Sequence, residues 1–381
     1  MTDRNKRRNF PSNVWLRRAL FFGGALVTGG ITVYAVADRL FSAPRYEGPV
    51  SDHFGDGKFY NPGPQDQHGF ADFLRWRLTG NPGVWRRWMD ARPRAAPPER
   101  VGDGRLRVTF IGHATTLIQM DGLNILTDPV WSERASPVAW AGPKRVRPPG
   151  LRFEDLPQID AVLISHNHYD HLDVPTLRRL AEAHRPRYIV ALGNRALLES
   201  KGVRGVVELD WWQGFQPADD LQIVCVPAKH FSGRGLSDRD RTLWCGYVIQ
   251  GSSGTTYFAG DTAMGPHFGE IRDRYGPIRL ALLPIGAFLP RWFMAPVHVS
   301  PEEAVEAHQI LDAGTSVAIH FGTFALGDDG EREAVEELYR ALENAGEQRE
   351  RFWVLDFGEG RDVPPVERRA SESWHELKSR R

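Results

Sequence analysis

Within six positions the chain sets three imidazoles and a carboxylate, in the run Ser165-His166-Asn167-His168-Tyr169-Asp170-His171-Leu172-Asp173. The run leaves Ala161–Ser165 (AVLIS), an apolar stretch that reads as a buried strand. A strand end is a rigid support, and the loop beyond it can turn several side chains inward. His166 and His168, two apart, share one side of an extended loop; Asp170 and His171 follow where the chain turns into a helix. One zinc does not need four donors from one loop, because other ligands must close its site. Two metals explain the excess, with imidazole suiting zinc and carboxylate able to bridge. The fold must then bring other strand ends to this loop. His230 after Ile223–Pro227, Asp261 after Tyr257–Gly260 and His320 after Val317–Ile319 are the candidates. Alone, each reads better as a hydrogen-bonded histidine or a turn aspartate. Beside the cluster they rise together as the missing ligands.

The composition narrows the partners. Lys plus Arg and Asp plus Glu number 48 each, so the net charge of zero argues against a nucleic-acid binder. Two cysteines exclude a disulfide scaffold and a Cys-rich zinc module. Cys225 and Cys245 read either as a bond formed in an oxidising compartment or as two buried thiols.

Four segments are expected. Residues 1–45 hold a basic stretch (Arg4, Lys6, Arg7, Arg8, Arg17, Arg18) and then the uncharged run Ala19–Ala37. At about 1.5 Å per residue that run spans about 28 Å, near the thickness of a bilayer core. It reads as a signal anchor, or as a signal peptide cleaved after Ala35-Val36-Ala37, and Arg7-Arg8 resembles a twin-arginine signal. Both readings place the rest of the chain outside the inner membrane of a bacterium, on its periplasmic side. Residues 46–100, rich in Pro and Gly, read as an extension wrapping the core, with short amphipathic pieces near Phe70–Leu78 and Val84–Met89. Residues 101–360 mix strands and helices without regular βαβ alternation, which predicts packed sheets with helices outside. Residues 361–381 read as a charged tail. Leu106–Met120 is expected as one strand turning at Asp121-Gly122 into a second, and Val174–His184, Pro301–Leu311 and Glu331–Gly346 as helices.

The order of phrases resembles a known family. His166-x-His168-x-Asp170-His171 followed by single His, Asp and His looks like the metallo-β-lactamase superfamily. Gly112-His113-Ala114-Thr115, Leu126-Thr127-Asp128-Pro129, Arg134–Pro137, Gly142–Arg145, Glu208–Trp212, Pro284–Ala287, Pro290–Met294 and His298–Val305 are similar to its N-acylphosphatidylethanolamine-hydrolysing phospholipase D branch. The resemblance covers about residues 58–360. It implies an α+β, αββα sandwich of two mixed sheets flanked by helices. It implies one zinc on His166, His168 and His230, a second on Asp170, His171 and His320, Asp261 bridging, and a hydroxide between them. Tyr169 and His298 would meet the substrate, His298 and Asp170 would be catalytic, and Asp128 and Asp173 would orient ligand imidazoles. His113 stays open between pocket mouth and turn cap.

The implied reaction is zinc-dependent hydrolysis of N-acylphosphatidylethanolamine to N-acylethanolamine and phosphatidate. The apolar loop 288–294, with Arg291 against a headgroup, suits a phospholipid at a membrane surface; homodimerisation is left open. The competing readings are a lactonase or polar phosphodiesterase on the same fold, or a membrane-anchored protein with a non-catalytic metal site.

Overall fold

The structure, a computed structural model, describes residues 36, 38–63, 68–90 and 94–366. A small hairpin, β1 (Phe54–Gly55) and β2 (Lys58–Phe59), precedes the two main sheets. The first sheet contains β3 (Leu106–Gly112), β4 (Thr115–Met120), β5 (Leu123–Thr127), β6 (Ala161–Ile164), β7 (Arg187–Ala191), β8 (Val206–Leu209) and β16 (Gly360–Asp362). Its order is β16-β3-β4-β5-β6-β7-β8, antiparallel up to β5 and parallel beyond. The second contains β9 (Gly214–Ala218), β10 (Leu221–Val226), β11 (Gly246–Gly251), β12 (Gly254–Phe258), β13 (Ile278–Pro284), β14 (Thr315–Ile319) and β15 (Phe352–Trp353). It runs β15-β14-β13-β12-β11-β10-β9, parallel from β12 to β15. The chain is thus an α+β, αββα sandwich.

Burial explains the apolar runs. In β6, Ala161 and Leu163 join the core between the sheets, while Val162 and Ile164 pack outward with Leu177 and Leu180 of the helix Val174–Ala183. A strand covered on both faces reads as continuously apolar. Each fully buried Leu or Ile contributes about 1.5–3 kcal/mol of transfer free energy. Phe268, Ile271, Ala304, Val305, Leu338 and Leu342, from three helices, join the core against the second sheet. The helix Pro301–Ile310 opens on a capping box: Ser300 Oγ accepts from Glu303 N at 3.2 Å and Glu303 Oε2 accepts from Ser300 N at 2.8 Å.

The expected single strand Leu106–Met120 breaks in two. Gly112 (φ +144°) and His113 (φ +56°) reverse the chain, and Gly112 pairs with Thr115. Gly112, His113 and Thr115 stand at the break, yet all are buried like the arms beside them, so no exposed polar turn marks it. The tail begins later than expected: Gly360–Asp362 pairs with β3, and Val363 N donates to Leu106 O at 2.7 Å. The piece near Val84–Met89 is not a helix; Trp85 Nε1 donates to Asp329 O at 2.8 Å and Arg86 pairs with Glu331. The 288–294 loop contains a helical turn, Arg291–Met294. The helices Asn194–Ser200 and His267–Tyr275 and the strand β9 escaped the sequence reading. Cys225 and Cys245 are free, buried thiols. The run Ala19–Ala37 lies outside the described residues apart from Val36; among the described residues no helix is long and apolar enough to cross a membrane.

Candidate metal centre

The donors converge where the C-terminal ends of both sheets meet. His166, His168, Asp170 and His171 leave β6, His230 leaves β10, Asp261 leaves β12 and His320 leaves β14. His166, His168 and His230 present ligand atoms within 4.8 Å of one another, and so do Asp170, His171, His320 and His113. Between the groups, Asp261 Oδ2 lies 3.1 Å from both His171 Nε2 and His320 Nε2 and 3.9 Å from His230 Nε2. The seven residues expected from sequence therefore meet at one place.

Neighbouring acceptors fix which imidazole nitrogen faces inward. His230 Nδ1 donates to Val297 O at 2.8 Å, leaving the Nε2 lone pair toward the cluster. His171 Nδ1 donates to Asp128 Oδ2 at 2.6 Å. Ser165 Oγ donates to the same oxygen at 2.6 Å and accepts from His166 Nδ1 at 2.9 Å. Asp128 thus orients two imidazoles, one directly and one through Ser165. Asn61, from the extension, holds the His230 backbone from both sides, accepting from its N at 3.2 Å and donating to its O at 2.8 Å. Apart from Ser165 preceding the cluster, no local pattern marks Ser165 or Asn61.

Several buried atoms of the cluster lack a hydrogen-bond partner. His171 Nε2, Asp261 Oδ1, His298 Nδ1 and both His320 ring nitrogens are buried without a hydrogen bond. Native interiors rarely leave such groups unmet, and converging neutral imidazoles with carboxylates are the donor set of divalent metals. The residues therefore fit a metal pair. His166, His168 and His230 would hold one ion, Asp170, His171 and His320 the other, with Asp261 facing both.

Without metal, the titrations divide. Burial pushes His166 well below its ordinary range, His168 to about 4, and His230 and His298 to about 3, so all four are neutral at pH 7. Burial opposes charge in His171 and His320 too, but Asp261 and Asp170 outweigh it; His171 is raised well above its usual value and His320 to about 9. The first four stabilise the fold above the unfolded value near 6.5, and that contribution is lost as pH falls toward 3–4. The other two stabilise it below 6.5, and theirs is lost as pH rises through about 9 for His320. Chelator-treated protein is therefore expected to melt highest near neutral pH and earlier on both sides; melting temperatures that stay flat between pH 4 and 9.5 would contradict this.

A cavity of about 540 Å³ opens onto the cluster. Its walls include Phe73, Trp76, Phe231, Phe293, Met294 and Leu326, and His298 lines it beside the donors. Trp76 comes from the helix Phe70–Thr79, fixed by Trp76 Nε1 donating to Asp328 Oδ1 at 2.9 Å. Three sequence expectations are corrected here. Tyr169 lines a different cavity, its ring under the Arg234 guanidinium at 3.9 Å. Asp173 accepts from Ser132 N, Ser132 Oγ and Thr176 Oγ1, tying down a loop and orienting no imidazole. Arg291 is engaged by Glu303 Oε2 at 2.8 Å and His298 O at 2.9 Å, so it supports the His298 backbone. Chain order alone does not set these side-chain directions.

A profile of the Beta-lactamase superfamily domain matches residues 123–321. The chain belongs to the metallo-β-lactamase superfamily. An uncharacterised protein of Mycobacterium tuberculosis is 40% identical over 346 residues, covering 88% of this chain and 89% of that one. The N-acyl-phosphatidylethanolamine-hydrolyzing phospholipase D 1 of Caenorhabditis elegans is 38% identical over 268 residues, covering 67% of this chain and 75% of its own. Among solved structures, a metallo hydrolase from Ignicoccus hospitalis superposes with a TM-score of 0.51 at 22% identity, over 68% of this chain and 99% of its own, a likeness of fold. As a member of this superfamily the chain is a metal-dependent hydrolase.

Gly286 abuts this centre. A Cβ added there would stand 2.1 Å from His320 O, so the strand ends approach closely only because the residue has no side chain.

Proposed function

We propose that the chain is a dizinc phospholipase D-type phosphodiesterase. It would hydrolyse N-acylphosphatidylethanolamine to N-acylethanolamine and phosphatidate. The observation that carries this reading is the aromatic and aliphatic cavity with the donor cluster at its base. The likeness to the nematode enzyme supports the same substrate class. A zinc pair held there supplies Lewis acidity and makes water nucleophilic at neutral pH. The chain's own groups do the rest. Phe73, Trp76 and Phe293 exclude water and hold acyl chains, while neutral His298 stands beside Asp261, 3.9 Å from Nδ1 to Oδ2, where it can contact a phosphoryl oxygen. Leu74 and Leu78, on the cavity helix, and Trp292, beside Phe293, are exposed, which suits entry from a bilayer surface. The basic N-terminus and the run Ala19–Ala37 support export to the periplasmic side of the inner membrane, anchored or released.

The test is zinc-loaded protein with phospholipid vesicles containing N-acylphosphatidylethanolamine, in water enriched in oxygen-18. Phosphatidate carrying the heavy oxygen, with unlabelled N-acylethanolamine, is expected. Label in the alcohol, or turnover of a lactone but of no phosphodiester, would overturn the reading. His298→Ala is expected to lower kcat about 10²–10³-fold while zinc content stays at the wild-type level. Zinc lost together with activity would make His298 a structural part of the centre.

A further inference from the structure

The turn that splits β3 from β4 brings His113 against three of the candidate ligands. Its Nε2 lies 2.9 Å from Asp170 Oδ2. Its ring lies 4.1 Å from that of His320 and 5.3 Å from that of His171. Its backbone carbonyl accepts from His320 N at 2.8 Å, and its own N donates to Thr323 Oγ1 at 2.9 Å. One residue thus grips the side chain of one candidate ligand and the backbone of another. The backbone conformation is unusual on both sides of that grip: His113 has φ +56° and His320 has φ +61°. Non-glycine residues adopt this region rarely, and they persist there when the surroundings over-determine them. The His113 side chain is buried, with Nδ1 meeting no partner.

We propose that His113 is a positioning residue for one half of the metal centre. Its Nε2–H fixes the Asp170 carboxylate, and the turn that carries it fixes His320, so that Asp170, His171 and His320 are set for one ion. The half built from His166, His168 and His230 makes no hydrogen bond or ring contact with His113: Ser165 holds His166, and Val297 and Asn61 hold His230. The effect of His113 is therefore confined to one of the two ions. This inference rests on the metal-pair reading, which wild-type stoichiometry checks first. Outer partners of ligands commonly set metal affinity by 10–100-fold.

Glycine is the informative substitution, because it accepts φ +56° freely and leaves the turn and the His320 N to residue-113 O bond intact. Equilibrium dialysis against buffered zinc should give wild-type protein two equivalents; fewer would refute the metal pair itself. His113→Gly should keep one equivalent at wild-type affinity and bind the other about 10–100-fold more weakly. His113→Gln, whose amide can donate from about the same reach, should recover most of that loss. Melting of metal-free H113G close to wild type would show that the fold survives. Wild-type affinity at both sites in H113G, or equal weakening at both, would overturn the positioning role. Failure of H113Q to recover would also overturn it, since the imidazole would then be a ligand.

Discussion

Replacing Asp261 with alanine is expected to lower kcat at least about 10³-fold, a rise of about 4 kcal/mol in the barrier, and to leave one zinc equivalent or fewer. The reason is where one oxygen stands. Asp261 Oδ2 is 3.1 Å from His171 and His320 and 3.9 Å from His230 and His298, so it is the group shared by both donor sets. Its removal also strips the largest counter-charge that raises His171 and His320 in the metal-free chain, which leaves both raised less, by Asp170 and, for His171, by Asp128. Breaking such a buried pairing costs about 3–5 kcal/mol when the partner stays charged, so apo-D261A is expected to melt below wild type. Asp261→Asn keeps the shape and separates charge from packing. Two zinc equivalents and wild-type turnover in D261A would show that Asp261 is not the group shared by the two ions.

Gly286→Ala is expected to cost about 10²-fold in kcat without touching any donor atom. The new methyl would lie 2.1 Å from the His320 carbonyl, a backbone atom that cannot swing aside. Either the end of β14 or the loop after β13 must move by about 1 Å, and misplacement of that size carries about this penalty. Ile285 N donates to Ile319 O at 3.1 Å beside the contact, so the shift would pass directly to His320. Zinc titration of G286A should show one weakened site and one of normal affinity. Wild-type turnover in G286A would mean that the strand ends tolerate separation and that His320 needs no exact placement.

The donor residues were legible because each follows an apolar strand, and both sheets aim those ends the same way. His166, His168, Asp170, His171, His230, Asp261 and His320 all obey that rule. His113 also follows a strand, β3, but the chain turns there inside a buried run that continues into β4, so apolar periodicity marks no strand end. Asp173, Tyr169 and Arg291 were misplaced for the opposite reason. They stand beside site residues in the chain, yet their side chains take partners at Ser132, Arg234 and Glu303. Asn61 and Trp76 act through contacts with residues more than 150 positions away, Asn61 with His230 and Trp76 with Asp328, which no local pattern records.

Phe73 and Trp76 lie before residue 123, where the family match begins, and are held to the body through Asp328 after it ends. The donor cluster and this part of the cavity wall are therefore supplied by different stretches of the chain. Exchanging this helix together with its Asp328 socket should change what the cavity admits while the donor-bearing strand ends stay as they are. Chimeras that graft this helix between relatives are the direct way to transfer selectivity without rebuilding the chemistry.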